Sequence, residues 1–385
     1  MSELAPSREI LARLVAFDTT SRNSNLALID YVQAYLAGHG IAARVSLDPT
    51  GTKANLHALV GPSVPGGIAL SGHVDTVPID GQAWTADPFA LREADGRLIA
   101  RGATDMKGFV ACMLAAVPRL LTMRLAKPMH LFVTHDEETT MEGARRLVAE
   151  LDGAPRPGCC VVGEPTLMQP VVAHKGKLSL RVMVRGKPGH SSEPDKGVNA
   201  VQAAAAAVAW AAQQARERAR TGPFDARFDP PYTSIHVGTI SGGTILNIIP
   251  GHAEFTMEWR NIPPDDPEAD FAVLRAHVAT EIEPAMHAVD PASGFTYEVI
   301  DTVPGLALPP ADPLVAMVRQ ASGSNSVGAV SYGTEGGIYE QAGIPTIVCG
   351  PGAIAQAHQP DEWIAASQLL ACDAFIDRLA ARLTT

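Results

Sequence analysis

A histidine and an aspartate two residues apart, His73 and Asp75, follow the apolar run 68–70 and a Ser-Gly pair. Residues two apart on a strand point to the same face. A histidine that binds a metal needs its second ring nitrogen held, and a carboxylate is a usual partner for that nitrogen. The triplet therefore predicts a metal ligand, His73, together with the carboxylate that orients it, Asp75.

Four further segments carry acidic or imidazole side chains that suit the same chemistry. They are Asp105 before a predicted helix, Glu137 and Glu138 after the apolar strand 128–135, Glu164 after the run 159–162, and His358 in a loop beyond 346–349. Each alone has an ordinary explanation, such as a helix cap or a solvated loop. All of them, however, lie at the carboxyl end of a predicted core strand or in the loop beyond it, where open α/β sheets place their sites.

This set of donors suits two divalent metal ions. Imidazole and carboxylate ligands fit Zn²⁺ or a similar ion. Asp105, Glu138 and Glu164 supply three negative charges and a bridging hydroxide a fourth, which balances two divalent cations. One carboxylate then remains for a general base, which must take a proton from the attacking water.

The elements that would position these residues alternate between strands and helices. The patterns predict two helices within 7–39, strands over 41–47, 54–60, 67–73, 128–135 and 159–162, and helices over 105–121 and 142–151. After residue 310 they predict a helix over 312–321, a strand near 344–349 and a helix over 364–383. This alternation is typical of an α/β layer with a mostly parallel sheet flanked by helices.

The middle of the chain has a different pattern of predicted strands and helices. It predicts strands over 178–184, 232–240, 251–259 and 295–301, with helices over 197–219 and 266–285. The resulting order, β-α-β-β-α-β, is that of the ferredoxin-like α+β unit. We therefore expect a discontinuous catalytic domain over 1–176 and 305–385, with an inserted domain over 177–304.

Composition argues against several classes of partner and location. The net charge of −11 disfavours nucleic acid or an anionic membrane as the main partner. No apolar stretch reaches the length of a membrane span, and residues 1–6 lack the basic start and apolar core of a secretory signal. Five cysteines, mostly in apolar contexts, suit a reducing cytoplasm.

Taken in their order along the chain, the five metal-ligand motifs resemble those of the co-catalytic zinc aminoacylase and carboxypeptidase family, and the resemblance covers nearly the whole chain. It implies a zinc-peptidase-like catalytic domain, an inserted lid that forms a homodimer, and two divalent ions, Zn²⁺ or alternatively Co²⁺. The implied roles are His73 and Glu164 on one ion, Glu138 and His358 on the other, Asp105 bridging both, Glu137 as general base and Asp75 behind His73.

The lid and one later loop contribute further residues through the same resemblance. His190, in segment 187–192, resembles an oxyanion donor that is often supplied by the partner subunit. An arginine suits a substrate carboxylate because it can donate two hydrogen bonds, so Arg260 at a strand end is a candidate, and Asn247 resembles another substrate-binding position of the lid. Thr334 and Glu335 lie in segment 331–337, which resembles the substrate loop of members that cleave acetylornithine.

The resemblance thus implies removal of the acetyl group from N2-acetyl-L-ornithine to give L-ornithine and acetate, a step of arginine biosynthesis. Glu335 could pair with the ornithine ammonium, although an ordinary loop acid or one that holds a ligand in place fits equally well. A broader N-acyl-amino-acid deacylase is an alternative. So is a succinyl-diaminopimelate desuccinylase, which needs an extra cation such as Lys175 or Lys177. A non-catalytic amino-acid-binding protein is the alternative from another class, against which the complete ligand set speaks.

Overall fold

The structure, a computed structural model, describes residues 5–263 and 265–384. Residues 1–4 lie outside the described residues. They begin the predicted catalytic domain and are part of the segment 1–6, which lacks the pattern of a secretory signal. Residue 385, at the end of the predicted catalytic domain, and residue 264, in the predicted inserted domain, also lie outside the described residues.

The helices are α1 (Ala5–Val15), α2 (Leu26–Gly38), α3 (Lys107–Leu121), α4 (Glu142–Ala149), α5 (Ala200–Thr221), α6 (Pro267–His277), α7 (Glu283–His287), α8 (Pro313–Ser322), α9 (Gly336–Gln341) and α10 (Ala366–Ala381). The strands are β1 (Ala43–Leu47), β2 (Ala54–Val60), β3 (Ile68–His73), β4 (Arg92–Ala94), β5 (Arg97–Ile99), β6 (Met129–Thr134), β7 (Cys159–Pro165), β8 (Val171–His174), β9 (Lys177–Arg185), β10 (Gly189–His190), β11 (Ser234–Gly242), β12 (Ile248–Ile249), β13 (His252–Arg260), β14 (Gly294–Val303), β15 (Leu306–Ala307), β16 (Gly328–Val330), β17 (Thr346–Gly350) and β18 (Trp363–Ala365).

The chain divides into two compact units. The first comprises the described residues up to Ala173, Leu306–Ala329 and those from Thr334 onward, and the second comprises His174–Gly305 and Val330–Gly333. The expected roles of the inserted part, as a lid and as a dimerisation domain, stay predictions. None of the described helices is both long and apolar enough to cross a membrane.

The first unit is built on a large mixed sheet with the order β1-β2-β6-β3-β7-β17-β8-β15, with β16 beside β8. Its central strands β6, β3, β7 and β17 are parallel, whereas β1 and β2 on one side and β8 on the other pair antiparallel with their neighbours. The predicted α/β layer is confirmed, with its parallel strands at the centre.

The central strands are apolar because helices cover the parallel part of the sheet. Every residue of β3 and of β6 is buried, as is typical of parallel strands covered on both faces. Helix α3 is buried along most of its length and packs on β3 and on its neighbour β7. A Cβ at Gly163 would lie 2.0 Å from the Phe109 ring, so glycine is needed there for α3 to approach the strand that carries Glu164.

The second unit contains a four-stranded antiparallel sheet within its described residues, in the order β11-β13-β9-β14. With α5 and α6 in their places along the chain, this is the arrangement of the predicted ferredoxin-like unit. The helix predicted over 266–285 is not one regular helix, because a π-helical segment over Val278–Ile282 separates α6 from α7. Pro284 contributes to that interruption, since proline cannot donate a helical hydrogen bond.

Candidate metal centre

Strand ends in the first unit bring the predicted ligands together. His73 is the last residue of β3, Glu164 lies near the end of β7, and residues 136–138 lie one residue beyond the end of β6. Because these strands are parallel neighbours, their carboxyl ends meet at one edge of the sheet. This edge is the position at which open α/β sheets build their sites.

Asp105 lies between the two histidines. Its Oδ1 is 3.0 Å from Nε2 of His73, and its Oδ2 is 3.2 Å from Nε2 of His358. His73 Nε2 also lies 3.4 Å from Oε1 of Glu164, and His358 Nε2 lies 3.1 Å from Oε2 of Glu138. Two groups of donors therefore share one carboxylate, as a site for two ions requires.

The fourth acidic residue of the cluster, Glu137, lies beside the first of these groups. Its Oε2 is 3.9 Å from Nε2 of His73. Ligand atoms of His73, Glu137 and Glu164 lie within 4.8 Å of one another, and so do those of His73, Asp105 and Glu138. Both clusters are compact enough to hold a metal ion.

The electrostatics of the cluster favour cations. Burial together with the neighbouring Asp105 carboxylate raises the pKa of Glu138 and of Glu164 to about 7. Burial and the charge of Glu164 raise the pKa of Glu137 well above its ordinary value. In addition, Oε1 of Glu164 is buried with no hydrogen-bond partner. A divalent cation would relieve both the repulsion and the unsatisfied oxygen, so the donor set fits metal ions.

The pKa values of the two imidazoles are raised as well, in their case because the neighbouring carboxylates favour the protonated ring. Hydrogen bonding to the carboxylates of Asp105 and Glu138 raises the pKa of His358 to about 10. Although burial opposes it, contact with Asp105, Asp75 and Glu164 raises the pKa of His73 well above its ordinary value. These shifts show that the surrounding carboxylates favour positive charge at both rings.

Asp75 contacts His73 mainly through its main chain. Nδ1 of His73 donates to the carbonyl oxygen of Asp75 at 3.0 Å, while Oδ1 of the Asp75 carboxylate lies 3.5 Å away. That carboxylate accepts hydrogen bonds from the hydroxyl of Ser21 at 2.7 Å and from the amides of Glu137 and Glu138 at 3.1 and 3.3 Å. Asp75 thus orients the ring and also fixes the acidic loop. Ser21 was not predicted, because nothing in its local sequence marks it.

Thr334 and Glu335 lie in the first unit, at the start of α9, with partners inside the protein. The hydroxyl of Thr334 accepts the amide of Gly336 at 3.0 Å. Oε2 of Glu335 accepts hydrogen bonds from the hydroxyls of Ser71 at 3.1 Å and Tyr339 at 3.3 Å, and the residue is 1% exposed. The predicted role of Glu335 in reading the substrate charge stays a prediction, and these contacts favour the alternative of a structural acid.

The other predicted substrate residues lie in the second unit. His190 is exposed on β10, with Nδ1 2.7 Å from the hydroxyl of Ser192. Asn247 is exposed, and its carbonyl accepts the amide of Ser191 at 3.1 Å. Arg260 ends β13, where its Nε donates to Glu258 at 3.0 Å. Their roles toward a substrate stay predictions.

Comparison with known proteins adds an independent observation. Residues 69–382 match the sequence profile of Peptidase family M20/M25/M40. Over 99% of this chain and 98% of its relative, the sequence is 40% identical to an acetylornithine deacetylase from Myxococcus xanthus. The fold is similar to that of an M20 family metallo-carboxypeptidase from Sulfolobus solfataricus, with a TM-score of 0.77 and 16% identity over 99% of both chains. It is also similar to a dinuclear metal-binding peptidase of the M20 family from Bacillus subtilis, with a TM-score of 0.65 and 15% identity over 98% of both chains.

Proposed function

The chain belongs to Peptidase family M20/M25/M40 and is a hydrolase of that family, and we propose that it removes the acetyl group from N2-acetyl-L-ornithine. The observation that carries this substrate is the 40% identity to an acetylornithine deacetylase over almost the full length of both chains. The acidic and imidazole cluster at the strand ends supplies the chemistry that amide hydrolysis needs.

Two divalent ions would be held by this cluster. His73 and Glu164 would bind one ion, His358 and Glu138 the other, and Asp105 would contribute one carboxylate oxygen to each. When bound, such ions polarise a carbonyl and lower the pKa of a water molecule toward neutrality. Zn²⁺ suits these donors best, and Co²⁺ suits the same ligands.

The proton transfers are assigned to Glu137. It is the carboxylate of the cluster that the ligand assignment leaves over, and its main chain is held in place by Asp75. Glu137 accepts a proton from the attacking water and returns it to the nitrogen of the leaving amine. This single group therefore acts first as base and then as acid.

Residues of the second unit would recognise the substrate. Arg260 would pair with the α-carboxylate through its guanidinium, with Asn247 as a further hydrogen-bonding group. His190 would donate a hydrogen bond to the oxyanion that develops on the acetyl carbonyl. We further propose that the chain forms a homodimer through the inserted unit and works in the cytoplasm.

The contacts of two lysines disfavour the desuccinylase alternative. Nζ of Lys175 donates to the carbonyls of Pro230 and Tyr232 at 2.7 and 2.8 Å, and Lys177 forms an ion pair with Asp301. Both candidate cations for a succinyl carboxylate are thus already engaged within the second unit. This leaves the deacetylase and the broader deacylase as the alternatives to separate.

A substrate panel with metal-reconstituted protein tests the proposal. Protein stripped with a chelator and reloaded with Zn²⁺ or Co²⁺ should cleave N2-acetylornithine with a higher kcat/KM than N-acetylmethionine, and should leave N-succinyl-diaminopimelate largely intact. Equal rates on all acetylated amino acids would favour the broad deacylase. Protein that binds amino acids but takes up no metal would be the non-catalytic alternative.

A further inference from the structure

Glu362 is a buried carboxylate that organises the loop leading to Asp105. Its Oε1 accepts the main-chain amides of Thr104 at 2.9 Å and Asp105 at 3.1 Å. Its Oε2 accepts the amide of Gly102 at 3.0 Å and forms an ion pair with Arg101 at 2.8 Å. Four donors from one short segment thus converge on one carboxylate, so the path of the Asp105 loop is fixed by Glu362.

The ion pair between Arg101 and Glu362 is also connected to the loop that carries His358. Arg101, which is 1% exposed, donates from its second terminal nitrogen to Oε1 of Gln82 at 2.5 Å, and its guanidinium lies 5.1 Å from the ring centroid of Trp84. The amide of Gln82 in turn donates to the main-chain carbonyl of His358 at 3.1 Å. One connected set of hydrogen bonds therefore reaches both Asp105 and His358.

The His358 loop needs such support. His358 and Asp361 both have positive φ angles, of 61° and 54°, which are unfavourable for residues with a side chain. The His358 side chain is 49% exposed, so packing does little to hold it. Such backbone conformations persist where the surrounding contacts determine them. Glu362 lies four residues beyond His358 in this loop, and its main-chain carbonyl also accepts the amide of Ala100 at 3.0 Å.

We propose that Glu362 is a positioning residue that fixes the Asp105 carboxylate relative to the His358 ring. It thereby sets the affinity for the second metal ion, which is the one assigned to His358, Glu138 and Asp105. The proposal rests on the proposed function, because it assumes that an ion binds between these two side chains. Groups that orient metal ligands from behind typically contribute about 10–100-fold to metal affinity. A displacement of the Asp105 loop would change the positions of the donor atoms for this ion, because Asp105 Oδ2 and His358 Nε2 are only 3.2 Å apart.

Cobalt titration of Glu362→Gln tests the proposal. Glutamine keeps the shape but has one acceptor oxygen for four donors, and it leaves the Arg101 guanidinium buried beside a neutral partner. Stripped wild-type protein should bind two Co²⁺ ions per chain. Binding is measured by calorimetry and by the visible absorption of Co²⁺. The variant should lose about 10–100-fold in affinity for the second ion and less for the first, with a changed absorption for the second ion.

Asp270→Asn is the matched control, because it breaks an arginine–carboxylate pair of the second unit, with Arg218, far along the chain from these ligands. It should bind both ions as the wild type does. Wild-type affinity for both ions in Glu362→Gln would overturn the proposal. A wild-type protein that binds fewer than two ions would contradict the proposed function instead.

A second variant keeps the test decisive if Glu362→Gln fails to fold, as judged by circular dichroism. Gln82 is a half-buried residue in a loop, and its side chain contacts the main-chain carbonyl of His358 and the Arg101 side chain, so Gln82→Ala should leave the fold intact. It should weaken the second ion and leave the first unchanged. Unchanged affinity for the second ion in Gln82→Ala would then refute the proposal.

Discussion

Asp75 holds the ring of His73 with its main-chain carbonyl, 3.0 Å from Nδ1, more closely than with its carboxylate, whose Oδ1 is 3.5 Å away. The carboxylate is directed to the amides of Glu137 and Glu138. A single residue therefore connects a proposed metal ligand with the proposed base. This division of contacts predicts that the side chain of Asp75 matters more for catalysis than for metal binding.

Replacement of Asp75 by asparagine tests this division. The main-chain contact to His73 is kept, so bound metal should stay close to two ions per chain. Asparagine, however, has one acceptor oxygen where the carboxylate accepts from Ser21 and from two amides, so the acidic loop should lose its fixed position. We expect kcat to fall about 10–100-fold with KM little changed. Ser21→Ala, which removes one of those hydrogen bonds, should show a smaller loss, and loss of metal at unchanged kcat per ion would contradict the prediction.

Glu137→Gln should separate the proton transfers from metal binding. The amide cannot accept a proton from water, so kcat should fall by about 10²–10⁴-fold, while elemental analysis should show the wild-type metal content. Glu142→Gln, an exposed acid in the first turn of α4, is the control and should have wild-type activity. A wild-type kcat in Glu137→Gln would mean that another group is the base.

The parts of the fold that could be predicted from sequence are those with long periodic or apolar patterns. The runs that became β3, β6 and β7 were recognisable because parallel strands buried on both faces are continuously apolar. Since such strands share an edge, their terminal acids and imidazoles could be grouped in advance. Strands of two or three residues, such as β4, β5 and β18, carry no detectable period and were missed.

The supporting contacts of the site could not be predicted, because they join residues far apart in the chain. Glu362 binds amides about 260 positions earlier, and Ser21 reaches Asp75 across 54 positions. Neither contact leaves a local pattern. The Asp75 carboxylate was predicted to lie behind His73, and its Oδ1 is 3.5 Å from the ring; the closer contact of the main-chain carbonyl, at 3.0 Å, has no side-chain pattern from which it could be predicted.

The half-buried His57 should make the protein less stable in mild acid. Burial, with the neighbouring His130, lowers the pKa of His57 to about 4, whereas in the unfolded chain it is about 6.5. Between these values the unfolded state binds the proton and the folded state does not. The contribution of His57 is therefore fully present above pH 6.5 and is lost as the pH falls toward 4.

Urea unfolding at several pH values checks this prediction. The free energy of unfolding of His57→Gln should fall less steeply between pH 6.5 and pH 4 than that of the wild type. His252→Gln, at an exposed position in β13, should keep the wild-type slope. Parallel curves for the wild type and His57→Gln would show that burial does not act on His57 as described.

The variant Glu335→Gln distinguishes two roles for this carboxylate, pairing with the charge of the substrate and hydrogen bonding within the protein. Because the carboxylate accepts from Ser71 and Tyr339 and is 1% exposed, we expect the variant to change KM for acetylornithine and for acetylmethionine by the same factor. Tyr339→Phe, which removes one hydrogen-bond donor of that carboxylate, should likewise affect both substrates equally. A rise in KM confined to acetylornithine would instead establish the pairing with the ornithine ammonium.

Mixing two variants of strongly lowered activity tests whether His190 acts from the partner subunit of the proposed dimer. His190→Ala should lower kcat without loss of metal, because its proposed role is to donate a hydrogen bond to the oxyanion and not to bind an ion. In a heterodimer of Glu137→Gln and His190→Ala chains, action across the dimer leaves one site with both groups intact. Random exchange of subunits makes about half of the dimers mixed, and one of the two sites in each mixed dimer keeps both groups. Activity should therefore return in about a quarter of all sites. If His190 acts within its own chain, every site lacks one of the two groups and the mixture stays inactive.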